Sequence, residues 1–149
     1  MLSSAIVLPL SSMNELKLDI SSFVKAQASL TEVLAVETKS ELEATIRRDA
    51  SIQRFEYTYE LAYKMLKRYL EVTSPSPEFI DELGFRDILR MGGEVGLIDD
   101  VSAWFDFREK RNITSHAYDE VKAKQIFAAI PAFAAASGKL LSGLQSRLA

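Results

Sequence analysis

Apolar residues recur at steps of three and four along almost the whole chain, the period of a helix with one buried face. Leu16, Ile20, Phe23, Gln27, Leu30 and Leu34 place a first helix over about residues 14–37. Ile52, Phe55, Tyr59, Ala62, Leu66 and Tyr69 carry the period through a longer helix from about 40 to 72. The segment TSPSP (73–77) breaks it, because Pro75 and Pro77 disfavour continued helix. A divided element follows, Glu78–Leu83 and then Phe85–Met91, ended by Gly92, Gly93 and Gly96. Asp99 or Asp100 suits the cap of another helix, with Val101, Trp104, Phe105 and Arg108 on one face, ending near Asn112–Ser115. Asp119 then opens a last helix with Ile126, Ile130, Phe133, Ser137, Leu140, Leu144 and Leu148 on one side and a kink expected at Pro131. No alternating strand pattern interrupts this order. The pattern predicts an all-α protein, an up-and-down bundle of four to five helices.

Composition narrows the chemistry. The 149 residues contain no cysteine, which excludes a disulfide framework, a thiol nucleophile and a Cys-based zinc site. They contain one histidine, His116, so a two-histidine zinc motif cannot form within one chain. A net charge of −3 argues against a protein that coats nucleic acid through a broad basic surface, but leaves room for a few placed arginines. No apolar run approaches the roughly 18–20 residues of a membrane span, so no membrane association and a cytoplasmic location are expected. Residues 1–12, MLSSAIVLPLSS, are read as a flexible N-terminal extension and residues 13–149 as one helical-bundle domain.

Most familiar catalytic patterns fail on inspection. SGKL at 137–140 lacks the upstream glycine of a phosphate-binding loop and has Leu140 where a magnesium-binding hydroxyl belongs. GGEVG at 92–96 follows no strand, and there is no G-x-S-x-G elbow. Glu56 and Glu60 stand at i, i+4 on one helical face, without the histidines of a di-iron bundle. No metal or cofactor is implied.

One constellation remains, FREKRNITSHAYDE at 107–120. On an unbroken helix Arg111 and His116 would differ by about 140° in azimuth, so they serve one site only if the helix ends or bends between them. Asn112, Thr114 and Ser115 favour such a break, since their side chains compete for backbone hydrogen bonds. Arginine offers a planar fork for a phosphate. Histidine can take a proton from a ribose 2′-hydroxyl or give one to a leaving 5′-oxygen near neutral pH. Together they suffice for metal-independent RNA cleavage to a 2′,3′-cyclic phosphate. One histidine is hard to use as acid and base at once, and a twofold dimer removes the difficulty.

RNITSHAY (111–118) resembles the R-x4-H-x-Y motif of HEPN-domain proteins. RDASIQRFEYTYELAYKMLKRYL (48–70) and DVSAWFDFREKRN (100–112) are similar to one prokaryotic branch, the nucleotidyltransferase substrate-binding-protein-like family, and the likeness extends over about residues 14–146. Tyr63 stands where that branch has an aromatic, often Trp. The resemblance implies a dimer whose two motifs face a shared cleft, and a minimal nucleotidyltransferase as partner. It implies a toxin-like endoribonuclease acting on RNA such as tRNA, with catalytic roles for Arg111, His116, Asn112 and Glu56. Arg111 would hold the phosphate, His116 would move the proton, Asn112 would assist, and Glu56 would orient the site. It also implies that the partner attaches AMP to Tyr118 and so silences the site. The alternative it implies is a noncatalytic nucleotide- or substrate-binding subunit of a two-component nucleotidyltransferase. The chain lacks the G-S…D-x-D pattern of the transferase itself.

Overall fold

The structure, a computed structural model, describes residues 18–148; the reading of 1–12 as a flexible extension lies outside them. Six α-helices follow in order among the described residues: α1 Ser21–Leu34, α2 Glu41–Thr73, α3 Pro77–Glu82, α4 Phe85–Glu94, α5 Val101–Asn112 and α6 Glu120–Leu148, with a single 3₁₀ turn at Thr114–His116. The expected all-α bundle is present, with the divided element resolved into α3 and α4.

The longest of the inner helices, α2, contains neither Gly nor Pro between its ends. Ser40 caps it by accepting from the Glu43 amide at 3.1 Å, and it stops at Ser74, which is held extended by the following Pro75. This helix packs against all five others. Its residues Ile52, Phe55, Tyr59, Ala62, Leu66 and Tyr69 are buried, as the period predicted. Arg47 of α2 donates to the carbonyls of Val33 and Leu34, supplying a cation to the end of α1. That termination falls at Leu34 rather than the expected 37, and residues 14–17 of the predicted first helix lie outside the described range. Further along, Arg54 reaches the Ser29 carbonyl and Thr58 the Ala26 carbonyl, so α1 and α2 run antiparallel.

The α4 ending differs from expectation in an instructive way. The helix continues through Gly92 and Gly93 to Glu94. A side chain at Gly92 would sit 3.1 Å from Leu66 and from Ile98, so this glycine serves packing against α2. The turn itself is made by Gly96 at φ 83, with the Leu97 amide bonded to the Gly92 carbonyl and the Gly96 amide to that of Gly93. Asp100, not Asp99, caps α5 by accepting from the Ala103 amide. Asp99 instead faces Lys139 at 3.4 Å. Within α5, Phe107 rather than Phe105 joins Trp104 in the core. Asp119 opens α6 by accepting from Lys122, and that helix is continuous through Pro131.

Contrary to the expectation from the sequence, α6 is by length and composition apolar enough to cross a membrane, its apolar stretch interrupted only by Lys139 and small polar residues. Its large side chains, Ile126, Ile130, Phe133, Leu140 and Leu144, are fully buried in the bundle core, and alanines make up much of the outer face. Ser137, also buried, bonds Gln27 of α1, whose amide nitrogen reaches the Ala134 carbonyl at 2.9 Å. This polar clasp satisfies the buried Ser137 hydroxyl and the half-buried Gln27 amide, and fixes the register of α1 on α6.

At the centre, Phe133 meets Phe55 at 4.9 Å, Phe107 at 5.3 Å and Trp104 at 5.7 Å, all edge to face. Tyr59 closes the cluster, its hydroxyl buried without a hydrogen-bond partner. Burial pushes that phenol up to about 12, although the nearby Arg108 cation opposes the shift.

Two stability outcomes follow from this core. Phe133→Ala should cost about 3–5 kcal/mol in urea unfolding, since the ring has no exposed surface into which the site could relax. Tyr59→Phe should be neutral or stabilising at neutral pH, because it removes an unpartnered hydroxyl. Above pH 10 the unfolded chain releases the Tyr59 proton before the folded one does, so wild-type stability falls by roughly 2–3 kcal/mol as pH rises toward 12. The Phe variant lacks this loss, and its advantage over wild type should therefore widen across that window.

Candidate functional site at the end of helix α5

The break that the Arg111–His116 pair requires is present. Helix α5 ends at Asn112, Ile113 leaves helical geometry, and the chain tightens into the 3₁₀ turn through His116. The His116 amide bonds the Ile113 carbonyl at 2.9 Å, and the Asp119 amide bonds the His116 carbonyl at 3.0 Å. Thr114 is the buried residue of this turn. Its hydroxyl lies 2.8 Å from the Arg111 carbonyl and 3.1 Å from Glu56 Oε2, sharing one proton between the helix end and α2.

Arg111 points back onto α2. Its Nε donates to Glu60 Oε1 at 2.7 Å and its Nη1 lies 3.7 Å from Glu56 Oε2. The guanidinium is 29% exposed, and both carboxylates are more exposed than it is. Because α2 presents Glu56 and Glu60 one turn apart, both reach the same cation from one helical face. The pairing uses Nε for a hydrogen bond and sets Nη1 near Glu56, and neither Nη1 nor Nη2 makes a hydrogen bond among the described residues.

Among the predicted site residues, Arg111 and Glu56 are therefore brought together, with Thr114 between them. His116 and Tyr118 form a second group on the turn. Their rings meet edge to face at 6.2 Å, and neither makes a hydrogen bond to Arg111 or Glu56. His116 is exposed and Tyr118 is 87% exposed, so its hydroxyl faces solvent. Asn112 is exposed at the last position of α5. A shallow hollow of about 220 Å³ lined by Asp49, Ile52, Ala117 and Tyr118 opens beside this turn. The nearby Arg48 bonds Glu120 at 2.7 Å and holds that carboxyl below its ordinary value. Among the described residues no group of three or more His, Asp or Glu side chains is placed to hold a metal ion.

Glu60 and Thr114 were not selected from the sequence as site residues. The signal for Glu60 is its i, i+4 relation to Glu56, which by itself does not reveal the cation that the two carboxylates share. Thr114 was noticed as a helix breaker, but its bond to Glu56 depends on how α5 crosses α2, which no local pattern encodes.

Chemically, the arrangement provides an arginine fork held by carboxylates, an exposed imidazole five positions on, and an accessible phenol beside it. The sequence profile of the nucleotidyltransferase substrate-binding-protein-like family matches residues 18–146. A Haemophilus influenzae protein named probable ribonuclease HepT is 45% identical over 97 residues, which span 65% of this chain and 66% of that protein. Among solved structures, a Haemophilus influenzae protein described as having the fold of a substrate-binding domain of a nucleotidyltransferase superposes with a TM-score of 0.79 at 34% identity. The match covers 85% of this chain and 99% of that one. A protein from Thermus thermophilus superposes with a TM-score of 0.67 at 32% identity, over 82% of this chain and 98% of that one.

Since the Glu60–Arg111 pair is solvent-exposed, Glu60→Gln should lower stability by less than about 1 kcal/mol in urea unfolding. A loss several times larger would show that the pair holds the end of α5 in place rather than tuning the arginine.

Proposed function

The chain belongs to the nucleotidyltransferase substrate-binding-protein-like family, and on that basis we propose that it is a HEPN-type, metal-independent endoribonuclease. The observation that carries this reading is the interruption of α5 between Arg111 and His116, which releases the imidazole from the helix that holds the arginine. Homology to a probable ribonuclease supports it.

In this reading RNA enters with its scissile phosphate at Arg111, displacing or sharing the guanidinium edge that Glu56 now faces. The ribose 2′-oxygen attacks the adjacent phosphorus, and the bond from phosphorus to the 5′-oxygen breaks. A histidine accepts the 2′-hydroxyl proton and another supplies a proton to the departing 5′-oxygen, leaving a 2′,3′-cyclic phosphate. With one imidazole per chain, the second comes from the same turn of a second copy, so the active species is a homodimer. Asn112 supplies a further donor at the helix end, and Glu56 orients Arg111 through the Thr114 turn. Negative charge developing on the phosphate is met by the guanidinium.

The exposed Tyr118 hydroxyl fits a regulatory step by a minimal nucleotidyltransferase partner in the cytoplasm. The phenol oxygen attacks the α-phosphorus of ATP, pyrophosphate leaves, and AMP remains on the tyrosine. A phosphodiester beside His116 places negative charge and bulk where the RNA phosphate must sit. A second reading, a noncatalytic subunit presenting substrate to that transferase, draws on the description of the Haemophilus influenzae structure and on the carboxylates now engaging Arg111.

Purified wild-type protein should cleave tRNA in the presence of a chelator and leave cyclic-phosphate ends, while His116→Ala should lose at least about a hundredfold in rate. Growth arrest on expression should disappear with the same substitution. Retained cleavage in His116→Ala removes the proposed chemistry, and absence of cleavage with tight transferase binding selects the second reading. Mass spectrometry after co-expression with a neighbouring nucleotidyltransferase should find AMP on Tyr118; an unmodified tyrosine removes the silencing step.

A further inference from the structure

Beyond the cluster at Arg111, an alternating series of arginines and aromatic rings runs along the outside of α5, α2 and α4. One helical turn before Arg111, Arg108 lies over the Phe85 ring at 4.2 Å and near the Tyr63 ring at 5.9 Å. Tyr63 in turn follows Glu60 by three residues on α2, so the Arg111–Glu60 and Arg108–Tyr63 contacts are successive rungs of one α2–α5 groove. Phe85 meets Phe105 edge to face at 6.5 Å. Arg86 stacks over Phe105 at 4.9 Å and lies 5.4 Å from Phe85, and Arg90 follows over Phe105 at 5.6 Å.

We propose that this series, Arg108, Arg86 and Arg90 on Tyr63, Phe85 and Phe105, is a track for the phosphodiester backbone of single-stranded RNA leading away from Arg111. The identity of the polyanion rests on the ribonuclease reading above. A guanidinium stacked on a ring uses its flat face and keeps its in-plane N–H donors directed outward, the orientation that pairs with phosphate oxygens. Arg86 and Arg108 have no carboxylate within salt-bridge distance among the described residues, and Arg90 has only its own-helix neighbour Asp87 at 3.3 Å. Such unpaired arginines stand out in a chain of net charge −3. The Nε of Arg108 is buried and its charge acts on the buried Tyr59 hydroxyl, so Arg108 is the inner end of the series and Arg86 and Arg90 are its exposed members. An open groove of about 610 Å³ adjoins the series along α2, lined by Tyr63, Lys64, Lys67 and Arg68 together with the acidic Glu60 and Glu71. The charge along this side is therefore mixed, and the phosphate donors of the track are the arginines of α4 and α5. The partly exposed rings also offer edges on which bases can pack.

The test uses the full chain in the His116→Ala background, with a fluorescein-labelled unstructured RNA and anisotropy across a salt series. Arg86→Ala/Arg90→Ala should weaken binding on the order of tenfold and reduce the slope of log affinity against log salt by about 1.4, two charges at about 0.7 each. Arg86→Lys/Arg90→Lys should keep most of that slope. Both arginines are exposed, so thermal melting should be unchanged and the loss attributable to the surface. Unchanged affinity and slope in the alanine pair overturn the track, including where the same pair weakens association with a nucleotidyltransferase or changes the sedimenting mass. Wild-type cleavage measured in parallel separates the two readings. Cleavage with unchanged binding in the alanine pair removes the track alone, and no cleavage with weakened binding removes the ribonuclease alone.

Discussion

The site hangs on how Phe133 is packed. This residue of α6 touches Phe55 and Tyr59 of α2 and Trp104 and Phe107 of α5, so one ring joins three helices. Edge-to-face pairs of this kind add about 0.5–1.5 kcal/mol each to the burial of the rings, and they restrict rotation as well as distance. Rotation is what matters for the site. With Trp104 and Phe107 turned inward, the 3.6-residue period turns Arg108 and Arg111 outward along the seam with α2. Glu56 and Glu60 are placed on the facing side of α2 by the same cluster, through Phe55 and Tyr59.

The resulting ion-pair group is weak in stability and strong in consequence. Exposed carboxylates contribute little to holding a fold together. They do decide which edge of Arg111 remains for a ligand, because Glu60 takes Nε and Glu56 sits near Nη1. If Arg111 is the phosphate holder proposed above, an incoming phosphate would meet a cation already partly neutralised, and binding would need charge beyond Arg111 alone. Under that proposal, a polyanion with several phosphates suits this surface better than a single one, in keeping with the arginines placed over rings on α4 and α5.

Helical period and capping chemistry made most of the architecture legible. Buried positions in α2 and α6 follow directly from apolar spacing, and Asp119 and Asp100 act as caps where capping residues were expected. The errors have physical reasons. Gly92 and Gly93 read as helix breakers, yet contact with Leu66 and Val101 requires small residues there and the left-handed turn waits for Gly96. The first helix stops early because Arg47, distant in sequence, takes its last carbonyls. At the site, the motif arginine and histidine were visible as a spacing, and the break between them followed from Asn112, Thr114 and Ser115. Glu60 and Thr114 were invisible as partners, because their roles arise only where two helices cross.

The break also bears on why four residues intervene between Arg111 and His116 in the proposed chemistry. Were α5 to continue, His116 would be carried about 140° around the axis from Arg111. The 3₁₀ turn ends that constraint, and Thr114 anchors the turn by its contacts with both the Arg111 carbonyl and Glu56. The helix end is thereby fixed to α2 while the two residues beyond the anchor, His116 and the nearby Tyr118, remain exposed. For the proposed cleavage, an arginine anchored to α2 and an imidazole left accessible beyond the turn suit a reaction in which the RNA or an opposing protomer approaches from solvent. In the proposed reaction, the same exposure is what would let a second copy bring its own imidazole to the site.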